Sequence, residues 1–176
     1  MRFRNVVLAC LALMLAASEC AAQQLCQSVR ALLQSSYSDF NSIKRNVERH
    51  SDGTSEWVPS IGVAGGQDCE GQSYPDMSSN VDCTMANSQS AEEMTALYDG
   101  LVKEIRSCLD SSFVFSEEQG GKAGRLSTPI REASFEVKGK GENPDGPRVR
   151  VSLIQLHSTR HSGYEVTVWI DGIDKE

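Results

Sequence analysis

No apolar run in this chain reaches the roughly 20 residues a helix needs to span a bilayer. The longest, from Val6 to Ala17, falls well short. It follows Arg2 and Arg4 and gives way to small residues ending at Ala22, the layout of a secretory signal peptide. The expected organisation is therefore a signal peptide over residues 1–22 and a single globular domain over 23–176. Lipid attachment is disfavoured at Cys20 by the preceding Glu19, and Cys10 lies too early in the segment. The mature chain is expected to be secreted or periplasmic, without a transmembrane segment.

Cations are also in short supply, with 17 Lys and Arg against 24 Asp and Glu. Cleavage after Ala22 would remove Arg2, Arg4 and Glu19, moving the formal charge from −7 to −8 on the remaining 154 residues. Such a chain is repelled by nucleic acid and anionic lipid and attracted to a basic surface. The expected partner is another protein with such a surface, and no nucleic acid.

Sequence signatures of chemistry are missing as well. There is no G-x-S-x-G elbow, P-loop, dinucleotide fingerprint or metalloprotease His-Glu-x-x-His, so no catalytic residue and no cofactor is assigned. Absence of a C-x-x-C pair argues against zinc. Asp68, Glu70, Asp76 and Asp82 lack the alternation of a calcium loop and are expected to be solvated surface. Gly62 to Gly66 reads as turn-forming backbone. Glu92 and Glu93 are accounted for by a helix start, and Glu117 and Glu118 by a polar loop running to Gly124.

What is present is a disulfide framework. Outside the leader stand Cys26, Cys69, Cys83 and Cys108, an even number in a chain bound for an oxidising compartment, which implies two bridges from three possible pairings. Leu25, Val29, Leu32, Leu33, Phe40, Ile43 and Val47 keep helical spacing, predicting a first helix that ends before the His50–Gly53 turn signal. Ser35, Ser36 and Ser38 weaken its middle, which makes them the expected place for a bend or break. A second helix is predicted from Ser90 to Leu109, opened by a capping box of Ser90 and Glu93, with Met94, Leu97, Tyr98, Leu101, Val102, Ile105, Cys108 and Leu109 on its apolar face. Antiparallel packing would bring Cys26 to Cys108, leaving Cys69 with Cys83 to close a short flexible loop.

The remaining segments read as strands. Short apolar islands occur at Trp57, Ile61 to Val63, Val81 to Met85 and Phe113 to Phe115. From Ala133 the period changes to two, giving an antiparallel meander whose turns fall at Asn143–Gly146 and Ser162–Gly163. Ile154 and Leu156 change phase, which points to a bulge or a doubly buried strand end. Nothing repeats internally in the sequence. Together these patterns predict an α+β fold: two helices packed on one face of an antiparallel sheet, with a C-terminal β-meander and two disulfides.

His157 and His161 are the one pair resembling a site, but they straddle a strand end and a loop rather than one helix face. Two function classes follow. The leading one is an exported, disulfide-stabilised binding protein acting through protein–protein interaction, an inhibitor or immunity-type protein of the bacterial envelope. Trp57, Tyr74 and Trp169 are its candidate aromatic contacts if exposed, although Trp169 is expected in the core. The alternatives are a small envelope enzyme using His157 or His161 as general base, and a structural envelope component.

Overall fold

The computed structural model describes residues 20–121, 124, 127–137, 146–157 and 162–173. The expected leader, apart from residues 20–22, lies outside them, as do His161 and three residues of the Asn143–Gly146 turn. The chain folds into α1 (residues 20–36), β1 (Lys44–Arg49), β2 (Ser55–Pro59), β3 (Gln67–Ser73), β4 (Asn80–Ser88), α2 (Ala91–Cys108), β5 (Phe113–Gln119), β6 (Ser127–Val137), β7 (Arg148–His157) and β8 (Ser162–Asp171). All strands join one antiparallel sheet in the order β1-β2-β3-β4-β8-β7-β6-β5. A helix followed by a four-strand meander thus occurs twice. The two meanders meet at the central β4·β8 pair, and α2 carries the chain from the middle of the sheet to its far edge. This topological repeat has no counterpart in the sequence pattern.

Helix α2 forms as its sequence predicts. The Ser90 hydroxyl accepts the Glu93 N–H, while the Glu93 carboxylate turns to the Ser88 hydroxyl at 2.7 Å instead of closing the box on Ser90. Met94, Tyr98, Leu101, Ile105 and Cys108 are buried. At its end the Arg30 guanidinium donates to the Cys108 carbonyl at 3.0 and 2.7 Å, placing a cation where the helix dipole is negative. The neighbouring bridge joins Cys26 to Cys108, with Cα atoms 5.1 Å apart.

The first helix is shorter than its apolar spacing predicts. It stops at residue 36, and the expected continuation to Val47 becomes a turn followed by β1. Serines explain the stop: the Ser36 and Ser38 hydroxyls donate to the Leu33 and Ser35 carbonyls, and the Phe40 N–H folds back to Ser35. Asp39 and Phe40 then adopt left-handed backbone, φ 54° and 56°. Such conformations persist only where surroundings enforce them. Here Phe40 is fully buried, and Lys44 binds both the Asp39 carboxylate at 3.1 Å and the Ser73 hydroxyl at 2.9 Å. Ser79 donates to the Asp39 carboxylate, and its hydroxyl oxygen lies 2.9 Å from that of Ser73. Asp39→Ala would leave a mostly buried ammonium without its counter-charge, so a loss of about 2 kcal/mol is expected in urea unfolding. A change below a few tenths would mean that the turn holds itself.

The segment between Cys69 and Cys83 is more ordered than a flexible loop. The two cysteines are cross-strand partners in β3 and β4, 4.1 Å apart at Cα, so the bridge staples a hairpin. Irregular register at Gln67/Cys69 coincides with Asp68 at φ 46°, and another at Arg45/Glu48 with Asn46 at φ 50°; Asp and Asn tolerate this backbone at bulges. Strand β7 pairs with β8 without a register shift, so Ile154 and Leu156 lie half-buried on the face opposite Val149, Val151 and Leu153, and the bulge is in β6, where Pro129 pairs with Ile154 but Arg131 with Leu153. Strand β5 runs through Glu117 and Glu118 instead of ending before them, β6 starts at Ser127, and Ser162 and Gly163 belong to β8. No strand forms at Ile61–Val63.

The core lies between the helices and one sheet face. Cross-strand rows such as Val81, Ile170 and Val149, or Cys83, Val168 and Val151, are all fully buried. The helical residues Val29, Leu32, Tyr98 and Ile105 close over them. Among the described residues no helix is long and apolar enough to cross a membrane.

Candidate functional site

Alternation along each strand sends the neighbours of those core residues to the opposite, outer face. Register then lines Glu70, Asp82, Trp169, Arg150 and Ser134 in one row across β3, β4, β8, β7 and β6. An adjacent row contains Asn80, Asp171, Arg148 and Glu136. Arg150 binds Asp171 through two contacts of 2.9 and 3.0 Å and lies 5.0 Å from the Trp169 ring centre. The Trp169 indole donates to Thr167 at 2.9 Å, Ser152 donates to Glu132 at 3.0 Å, and Arg148 pairs with Glu136 at 2.9 Å. These side chains bury Thr167 and Ser152 although both face away from the core.

Two oxygens stand apart within this layer. Asn80 Oδ1 and Asp82 Oδ1 are shielded from water and have no hydrogen-bond partner among the described residues. A buried acceptor left without a donor costs about 1–3 kcal/mol. Burial first, then the charges of Glu165 and Glu70, push the Asp82 carboxyl up to about 7; Arg150 opposes the shift and Asp171 adds to it. Asp82 therefore departs from the solvated surface expected of it.

A raised carboxyl means that the folded state holds a proton which the unfolded chain releases near pH 4. Between about pH 4 and 7 the native state binds more protons, so this group's contribution to stability is full below pH 4 and is lost as pH rises through 7. Asp82→Asn should remove that slope and be more stable than the parent at pH 8 by about 1–2 kcal/mol, discounted for partial solvation. Urea unfolding at pH 5 and 8 checks this. An Asp82→Asn protein with the parental slope would show that Asp82 titrates normally.

A second polar cluster lies on the helix side. The Tyr98 hydroxyl donates to Glu117 at 3.1 Å, and Arg131 binds Glu117 and Asp99 at 2.6 and 2.8 Å. The guanidinium also sits 4.4 Å from the Tyr98 ring centre. Burial and the Glu117 charge raise the Tyr98 phenol above its usual range, so it holds its proton at neutral pH. The cluster ties α2 to β5 and β6. Lys44, Ser73 and Ser79 bring an ammonium and two hydroxyls together, but Ser73 is nearly and Ser79 fully buried, which withholds both from a substrate. A groove of about 350 Å3 between Arg30, Tyr37, Leu109 and Phe113 offers one cation, already committed to the Cys108 carbonyl.

The residues singled out from the sequence are dispersed. Trp57 is buried at 3% exposure and donates to Ser73 at 3.1 Å, so it is packing. Tyr74 is half-buried beside Gln72. Trp169, expected in the core, is half-buried on the outer face. His157 is exposed at the end of β7, 2.7 Å from the Thr128 hydroxyl, and paired in register with Ser162. Asn80 was not singled out and Asp82 was expected only as solvated surface, yet the alternation Asn80-Val-Asp82-Cys-Thr84 places both on the polar face once β4 is recognised. Comparison with protein-family models, with curated proteins and with solved structures returned no match.

Proposed function

We propose that this chain is an exported binding protein acting through protein–protein contact, an inhibitor or immunity-type protein of the bacterial envelope, and that its contact surface is the outer face of β3, β4, β8, β7 and β6. One observation supports this most: both helices pack on the inner face, leaving an acidic outer face with Trp169 and Arg150 stacked at its centre. Partly buried Trp and Arg are the side chains that contribute most at protein interfaces. The net charge of −7 favours approach by a basic protein at rates that fall with salt.

Photo-crosslinking in the native envelope tests it, with the probe at Glu70 on the outer face or at Glu92, exposed on α2. A single protein adduct from position 70 that is absent from position 92 is expected. Equal adducts at both, or none at 70, would contradict the reading.

A further inference from the structure

We infer that β5 is an interface at which two copies of this chain pair edge to edge into one continuous antiparallel sheet, independently of the outer-face reading. Among the described residues β1 and β5 each have a strand on one side only, and an open edge invites strand addition unless something blunts it. Strand β1 is blunted. Its register slips between Arg45 and Glu48, Asn46 lies at φ 50°, and Arg45, Glu48 and Arg49 crowd it with exposed charge. Strand β5 has none of these devices. Its seven residues pair with β6 one for one, from Phe113 with Val137 to Gln119 with Arg131, with no shift and no proline or lysine. The Gly120 N–H donates to the Ile130 carbonyl, so by alternation Val114, Ser116 and Glu118 turn their backbone groups to β6 while Phe113, Phe115 and Glu117 turn theirs outward. The Phe113 N–H is taken by the Asp110 carbonyl at 3.2 Å; the Phe115 and Glu117 groups face the open edge.

A second β5 fits this edge best when Phe115 meets its own counterpart. Outward residues then meet outward residues, as backbone exchange requires, with Phe113 opposite Glu117, Val114 opposite Ser116 and Glu118 opposite Ser112. A shift one way sets Phe115 against Glu117, and the other way sets Glu118 against Asp110. On the inner side Phe113 and Phe115 line a groove of about 240 Å3 with Leu109 and Arg106, whose guanidinium sits 4.6 Å from the Phe115 ring centre. Phe115 of the copy extends the apolar wall of this groove, and its Glu117 arrives on the side where Arg106 lies. Glu117 makes its contacts to Tyr98 and Arg131 through Oε1, which leaves Oε2 to accept from Arg106 of the copy. Symmetry forms that ion pair twice. A basic segment of another protein would bring its cations against Arg106 instead, so the charges favour a copy of the chain. Val114, 46% exposed on the outer face, is covered at the same time. The two-fold axis stands perpendicular to the sheet, so both outer faces end on one side.

Sedimentation equilibrium of the purified chain from micromolar to millimolar concentration tests this. A monomer–dimer equilibrium is expected, weakened about tenfold or more in Val114→Glu, where the new carboxylate lies diagonal to Glu118 of the copy. Val114→Lys offers that carboxylate a cation and should stay within about threefold of the parent. Val47→Glu, equally exposed but on the β1 edge, should leave association unchanged. Each substitution is at an exposed position, and circular dichroism verifies that the variants fold. Hydrogen exchange gives a reading without any variant: the Phe115 and Glu117 amides should slow as concentration rises. A monomer throughout, equal weakening by Val114→Glu and Val114→Lys or by Val47→Glu, or a dimer that leaves those two amides fast would overturn the assignment. If the crosslink at Glu70 fails while the dimer persists, the outer-face reading falls and the edge pairing stands.

Discussion

Replacing Cys26 and Cys108 together by serine is expected to lower the unfolding free energy by about 4 kcal/mol. The two residues are 82 apart in sequence. Cross-linking over such a span removes much of the unfolded chain's freedom, and in the chain-entropy treatment the gain grows with the logarithm of the loop. The 14-residue separation of Cys69 and Cys83 corresponds to about 3 kcal/mol on the same basis. Denaturant unfolding of the two double-serine variants should therefore rank them in that order. The Arg30 contacts to the Cys108 carbonyl survive the substitution, so α1 should remain docked, with weakened rather than abolished cooperativity. The reverse ranking would show that the hairpin bridge stabilises through native β3·β4 packing.

The second large effect is expected at Gly71. This glycine faces Trp57 across the β2·β3 pair, and a Cβ added to it would lie 2.3 to 2.5 Å from three indole carbons. The ring has nowhere to go. Its N–H is bonded to Ser73 at 3.1 Å, Phe40 packs with ring centres 5.7 Å apart, and the Lys44 ammonium sits 5.3 Å from the ring centre. Gly71→Ala should therefore cost about 3 kcal/mol or more, the upper end for overpacking. Adding Trp57→Leu removes the clashing ring, so the double variant should be less destabilised than the sum of the singles by more than 1 kcal/mol. Far-UV circular dichroism in urea reads this without relying on tryptophan emission. Additive effects would mean that the strands shift apart to admit the methyl group.

Both arguments concern features only partly legible beforehand. The cysteine pairing follows from two helices with matching ends, which their apolar spacing announces. Trp57 was open between core and surface, because a five-residue strand with one aromatic carries too little periodicity to assign its face. The serine-rich break in the first helix was legible as weak propensity, but the turn and the strand β1 that follow it were not. Phe40 and Ile43 kept helical spacing because the turn also buries them, and a local pattern cannot distinguish the two ways of burying the same side chains.

The candidate site shows the same division. Alternation in β7 and β8 already separates Arg150 and Thr167 from the core residues, so a polar sheet face was implied, although Trp169 was expected in the core and joins that face instead. That Asp82 and Asn80 join it depends on the β4·β8 pairing, which sets Asn80 against Asp171 and Asp82 against Trp169. Burial of these polar groups depends in turn on long side chains from neighbouring strands lying over them.

Helical and strand periodicity, a capping serine, an even cysteine count and an excess of carboxylates are properties of neighbouring residues or of composition, and they suffice for the α+β class, for α2 and for the two bridges. The order of the eight strands, the repeated helix-and-meander topology and the raised Asp82 carboxyl arise from contacts between distant segments. Whether an Asp is solvated or starved of donors depends on which strands flank it, and that is decided only when the sheet closes at β4 and β8.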